Sequence, residues 1–410
     1  MARTRSILPV LPVLAVGAFA IGTDTFVVAG VLPEVARDLT SSLAEVGWVS
    51  TVFALTYAVL APVLGALTGR LRRRTVLVIS LVVFALGNAA SAVAPGLAPL
   101  LAARVVTAAG AALYIPAASA SAAALSAPER RGRAMAVVLG GLSAATVAGV
   151  PFGTWLAADT GWRSTFWLLA GLGALCAGAV AVGLPEVRLP AAPGLAARLA
   201  PVRDARVLFT VLTTLSFMTG GYLTLTYIGA VLTPATDGDG TTLALLLLVF
   251  GVLAVGGTML GGRATDRWGP TPVLLGSVAG LAAVLATLPL TRDRLLTAVI
   301  AMAAWGFTAM ATQPPQQHRL FTIAPASGPL LLSLNSSATF AGISLGGFIG
   351  GLVTAHGGPD GLDRLGPYGA GLAALAVATA LIGVRAKGPA GQAEPAAKAP
   401  ERSEPAERTS

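Results

Sequence analysis

Asp24 is the residue on which any chemistry in this chain would turn. It lies in Ile7 to Pro33, ILPVLPVLAVGAFAIGTDTFVVAGVLP, a run apolar and long enough to cross a bilayer that carries no other charge. A spanning helix needs roughly 20 apolar residues at about 1.5 Å each. A carboxylate at that depth costs on the order of 2.5–3.5 kcal/mol on insertion scales, so it normally faces a cavity or a partner. Arg104, within LLAARVVTAAGAALYIP, is the second charge at membrane depth. Measured from the ends of their apolar runs at about 1.5 Å per residue, both residues sit roughly 9–14 Å below the same surface. They share a depth and can pair. Protonating a carboxylate beside an arginine changes a buried charge pair, which makes a natural conformational switch. The plainer alternative has Arg104 snorkelling to the interface and Asp24 taking only a helix–helix hydrogen bond.

Other residues could line a chamber around that pair. Phe26, Tyr57, Tyr114, Tyr222, Tyr227, Trp305, Gln313 and Asn335 are aromatic or polar positions inside apolar blocks. A tyrosine in a spanning helix also serves plain packing or the interfacial belt. The fifth apolar block, GGLSAATVAGVPFGTW, holds Gly149, Pro151 and Gly153, small and bending residues that let helices approach closely. Two polar segments carry gating candidates: GALTGRLRRR with Gly65, Arg70 and Arg74, and GGRATDRWG with Gly262, Arg263, Asp266 and Arg267. An acid near the end of the eighth block could cap a neighbouring helix N-terminus and hold a gate shut. His318 sits at the inner mouth of its block and is poorly placed for a midplane relay. The chain has no Walker lysine motif, HExxH, Gly-x-Ser-x-Gly elbow or dinucleotide fingerprint, so neither ATP hydrolysis nor covalent catalysis is supported. The expectation is a protein that is not an enzyme and uses no metal or cofactor.

The elements that must hold these residues are helices. Of 410 residues, 55% are hydrophobic and 11% charged, where a soluble domain carries about 25% charge. The apolar residues fall in blocks of spanning length rather than in the roughly ten-residue alternating strands of a membrane barrel. We expect an all-α polytopic membrane protein with twelve spans at about 7–33, 44–68, 75–96, 98–125, 134–158, 164–184, 207–233, 241–262, 271–290, 295–316, 329–355 and 367–386. The first span reads as uncleaved, being too long for a signal peptide. The net charge of +9 comes largely from arginines between the blocks. With both termini cytoplasmic these collect on the inner loops, as the positive-inside rule requires, so they orient the chain rather than bind nucleic acid. The single Cys176 permits no intramolecular disulfide.

The expected layout is an N-terminal six-helix half at 1–185, a Pro/Gly-containing cytoplasmic linker at 186–205, a C-terminal half at 206–387 and a disordered tail at 388–410. The halves show traces of repetition: an offset of 197 residues carries Gly65 onto Gly262, Gly149 onto Gly346 and Gly153 onto Gly350. Asp24 and Arg104 land on Gly221 and Ala301, so the charged pair belongs to the first half alone. Parallel repeats of this kind build two-halved transporters with substrate held between them.

Taken in order, GTDTFVVAGVLPEVARDL, GALTGRLRRR, ARVVTAAGAALYIP, GVPFGTWLA with GWRSTFW, GGRATDRWGP, and PPQQHRL with LNSSATFAGISLGG resemble the motifs of the major facilitator superfamily. The resemblance is to its twelve-span drug:proton antiporter-1 branch, which includes chloramphenicol and sugar-efflux exporters, and it runs from about Leu8 to Ala386. It implies a monomeric transporter in a bacterial inner membrane, exchanging protons for small, largely apolar compounds by alternating access. An exporter of a sugar, nucleoside or other metabolite is the alternative within the same fold, and a non-transporting membrane sensor the alternative outside it. By the same resemblance Asp24 and Arg104 occupy positions of proton coupling, and Gly149, Pro151 and Gly153 favour antiport. Two departures stand out: Gly69 replaces the usual acid of the first loop motif, which leaves Asp266 to act alone, and the fifth-span motif reads GVP rather than GP.

Overall fold

The computed structural model describes residues 10–69, 71–186, 200–323 and 328–386. Among them there is no strand, and twelve helices are long and apolar enough to cross a membrane. They are α1 Val10–Asp38, α2 Leu43–Leu67, α3 Arg73–Ala92, α4 Leu97–Leu125, α5 Arg131–Thr160 and α6 Trp162–Gly183, followed by α7 Ala205–Leu225, α8 Gly240–Trp268, α9 Pro270–Thr291, α10 Leu295–Ile323, α11 Gly328–His356 and α12 Gly361–Arg385. Arg70, most of the expected linker (187–199) and the whole expected tail lie outside the described residues.

The expected span count matches, while several ends move for physical reasons. α1 runs past Pro33 to Asp38 because α6 grips its end. Glu34 Oε1 accepts the Trp162 backbone N–H at 3.0 Å, Asp38 Oδ2 accepts Trp162 Nε1–H at 3.1 Å, and Asp38 pairs with Arg163. α7 stops at Leu225, short of the expected 233, and the chain continues in two short turns, Ile228–Val231 and Thr233–Thr236. α8 extends to Trp268 and ends on Gly269 at φ +84°, a conformation glycine adopts without strain. Arg263, Asp266 and Arg267 are therefore helical rather than in a loop. α10 breaks at Thr312 and resumes at Gln313. Pro314 and Pro315 fall in the first turn of the resumed helix, where a missing N–H costs nothing.

The packing repeats with an offset of six helices. α1 lies against α5 and α6 as α7 lies against α11 and α12, α2 against α4 as α8 against α10, and α3 against α6 as α9 against α12. The halves meet along two seams related by the same offset, α2 with α11 and α5 with α8. Toward the face carrying the α1–α2 loop these seams are tight. Ser344 Oγ donates to the Thr51 carbonyl at 3.1 Å, and Tyr57 stacks on Phe340 with ring centroids 3.6 Å apart. Toward the opposite face, where α1 begins and α12 ends, they loosen: no residue of α2 from Ala58 to Leu67 is fully buried.

Candidate functional site

The pair expected from depth is formed. Arg104 Nη1 donates to Asp24 Oδ1 at 2.7 Å and Nη2 reaches the Asp24 carbonyl at 3.4 Å. Both side chains are 0% exposed. The guanidinium sits between two aromatic rings, 4.5 Å from the Phe53 centroid on α2 and 5.4 Å from the Phe166 centroid on α6. Those faces give a desolvated cation partial compensation. The pair is single-pronged: among the described residues Asp24 Oδ2 and Arg104 Nε have no hydrogen-bond partner. The carboxylate thus keeps one oxygen unengaged among the described residues.

The α1 contact with α5 sets the pair beside an irregular turn of α5. On α5, Ala145–Gly149 forms a π-helical turn just ahead of Pro151. Single π turns inside helices commonly mark functional positions. A Cβ on Gly149 would lie 1.9 Å from Thr23 Oγ1, and one on Gly153 2.7 Å from Val27 Cγ2. Thr23 precedes Asp24, so the motif glycines set how closely α5 approaches the acid's own turn.

The expected chamber residues divide. Phe26 and Tyr222, both partly exposed, face one another across the halves with ring centroids 6.2 Å apart. Tyr114 is fully enclosed and donates to the Leu14 carbonyl at 3.0 Å over Gly17, a contact inside the first half. Trp305 is enclosed edge-on to Phe250 between α10 and α8. Tyr227 is enclosed at the seam, donating to the Gly347 carbonyl at 2.9 Å beside Gly47. Asn335 is buried and accepts from Thr214 Oγ1 at 2.7 Å. In this conformation Tyr114, Trp305 and Tyr227 pack helices rather than line open space. Accordingly, Tyr114→Phe is expected to cost about 1 kcal/mol, the worth of one hydrogen bond, and to leave cargo preference unchanged in a transport assay.

Of the gating motifs, Gly65 and Arg74 are half-buried, and Gly262 has open space around it. Arg263, Asp266 and Arg267 are exposed and form no ion pair among the described residues. Arg72 instead pairs with Glu186 at 2.8 Å, and Arg73 is buried against the Gly69 carbonyl.

Sequence reading missed the aromatic walls: Phe53 lies in no motif, and Phe166, though inside GWRSTFW, was not singled out. It also missed a polar cluster in the second half. Gln316 Nε2 donates to Thr214 Oγ1 at 2.9 Å and to the Thr210 carbonyl at 3.1 Å, with the buried Arg319 beside it. The extension of α10 to Ile323 draws Arg319 into the bundle. The Gln–Arg spacing of three, one helical turn, was the available clue.

Twelve spanning helices in two interlocking sets, with an ion pair buried in one of them, define a polytopic membrane transporter fold. Residues 14–329 match the Major Facilitator Superfamily model, and the chain belongs to that family of transporters. It is 32% identical to the inner membrane transport protein YdhP of Escherichia coli K12, covering 89% of this chain and 94% of that protein. It is also 32% identical to the chloramphenicol resistance protein of Streptomyces lividans, covering 91% and 94%. Among solved structures, a bacterial homolog of the human lysosomal transporter Spinster, inward-facing and unoccupied, superposes with a TM-score of 0.78 at 17% identity, covering 94% of this chain and 98% of that one.

Proposed function

We propose that this chain is a proton-coupled antiporter that exports small, largely apolar compounds, amphenicol-type antibiotics foremost, across a bacterial inner membrane with both termini cytoplasmic. The observation that carries the proposal is the enclosed Asp24–Arg104 pair with its one unengaged carboxylate oxygen. A proton arriving on Oδ2 turns a neutral pair into a lone buried cation, and that change in charge biases the packing of α1, α2, α4 and α6 around it. With the termini inside, the tight seams close the outer face and the loosened ones open inward, so the conformation seen is the one that loads cargo. The π-helical turn of α5, packed on Thr23 at one side and on Gly251 of α8 at the other, carries the change at the acid to the α5–α8 seam.

The threonine, glutamine and asparagine cluster of Thr210, Thr214, Gln316 and Asn335 favours a second reading. In it the cargo is a hydroxylated metabolite such as a sugar or nucleoside. The test is a susceptibility panel of antibiotics and metabolite analogues in an efflux-deficient host, paired with inverted vesicles under an imposed pH gradient. Chloramphenicol resistance with proton release on drug uptake is expected. Resistance confined to nucleoside or sugar analogues selects the second reading, and movement indifferent to the gradient removes proton coupling.

A further inference from the structure

A cleft of about 340 Å³ opens between the first turns of α2 and the last turns of α11, on the α1–α2 loop face. Glu45, Trp48 and Phe348 line it, with Gly347 and Gly351 at its floor. Trp48 is 41% and Phe348 38% exposed, and their rings sit 5.4 Å apart at 59°, forming two walls of an aromatic corner. Glu45 lies three residues before Trp48, on the same side of the helix. Its Oε2 accepts from the Ser42 backbone N–H and from Ser42 Oγ, both at 2.8 Å, which closes the helix cap. Glu45 is exposed; its Oε1 accepts no hydrogen bond from the protein, and no basic side chain pairs with it among the described residues.

A carboxylate oxygen left open beside two angled aromatic faces is the chemistry that recognises an alkylammonium group: charge attraction from the acid, ring quadrupole attraction from the walls. An anion would meet the wrong charge. A single carboxylate is too few ligands for a resident metal ion. The walls come from different halves, Trp48 from α2 and Phe348 from α11. Beneath them the helices touch: a Cβ on Gly347 would lie 2.6 Å from Thr51 Oγ1 and one on Gly351 3.5 Å from the Ala44 carbonyl oxygen. The corner is complete only while this seam is shut.

We propose that this cleft binds an alkylammonium group and that its occupant holds the α2–α11 seam closed. A ligand with affinity for one conformation shifts the equilibrium by its differential affinity. Binding itself is independent of the cargo reading, and only the effect on the transport cycle rests on it.

The test uses the full chain in phosphatidylglycerol nanodiscs titrated with pentyltrimethylammonium chloride by calorimetry. Saturable binding is expected. Glu45→Gln should weaken it by about tenfold or more with an unchanged unfolding midpoint, because glutamine also serves a capping box. Trp48→Leu, and the neutral isostere in which carbon replaces the ammonium nitrogen, should each bind about tenfold more weakly. Spin labels on the facing ends of α2 and α11 should report a larger closed fraction with the cation in wild type and no change in Glu45→Gln. Equal affinity in Glu45→Gln, or for the neutral isostere, overturns the site. Binding that leaves the label distances unmoved overturns the hold on the seam. Adding phosphatidylethanolamine separates the sources: a weakened isotherm supports a lipid headgroup as the natural occupant, and an unchanged one supports a soluble ammonium compound.

Discussion

Arg104→Met is expected to destabilise the protein by about 3–5 kcal/mol, the cost of stripping one partner from a buried ion pair. The pocket offers Asp24 nothing in exchange. Both side chains are wholly enclosed, Asp24 Oδ2 is already without a partner, and the neighbours of the lost guanidinium are the rings of Phe53 and Phe166. Thermal unfolding in detergent should show a large fall in midpoint, and folded yield should drop with it. Replacing both members, Asp24→Leu with Arg104→Met, removes the stranded charge, and apolar substitutes for a buried pair are often neutral or stabilising. The double variant should therefore recover most of the lost stability, giving a large coupling energy in the double-mutant cycle. Proton-driven efflux should nonetheless be absent from it, because the acceptor oxygen is gone. If the double variant still exchanges protons for cargo at the wild-type rate, the pair is architecture alone.

That experiment probes a site whose existence, though not its surroundings, was legible in the chain. Two charges in apolar runs at one depth predict a meeting, because an unpaired charge in hydrocarbon is expensive. Span number follows equally directly, since a block of apolar residues near bilayer length has few other uses. The helix ends were less legible because tertiary contacts set them. α1 outlasts Pro33 through the grip of Trp162 and Arg163 on Glu34 and Asp38. α7 breaks where Tyr227 is enclosed between the halves and Gly229 settles against Pro33. Side-chain roles were least legible. Tyr114, Tyr227 and Phe26 are all aromatic residues in apolar runs, yet only Phe26 shows partial exposure where the halves face each other. Composition cannot say which way a helix is turned about its axis, and in an all-apolar span the 3.6-residue pattern that normally reports it is faint.

Gly251→Val is expected to cut transport by an order of magnitude or more while leaving each half folded. A Cβ at Gly251 on α8 would lie 2.3 Å from the Thr146 carbonyl oxygen and 2.8 Å from Val147 Cα on α5. Both obstacles are backbone, so no rotamer change relieves the clash. They belong to the π-helical turn Ala145–Gly149, the segment of α5 that meets α8. Overpacking of this sort costs about 1–3 kcal/mol, and here it can be escaped by parting the halves. The penalty therefore falls on the conformation with the α5–α8 seam closed, and about 1.4 kcal/mol is already a tenfold shift in population. Gly256→Val on the same helix is the control, since a Cβ there meets nothing within 4 Å. It should transport at the wild-type rate. Spin-label distances between α5 and α8 should lengthen in Gly251→Val alone. Unchanged distances and efflux in that variant would show that this seam does not have to close during the cycle.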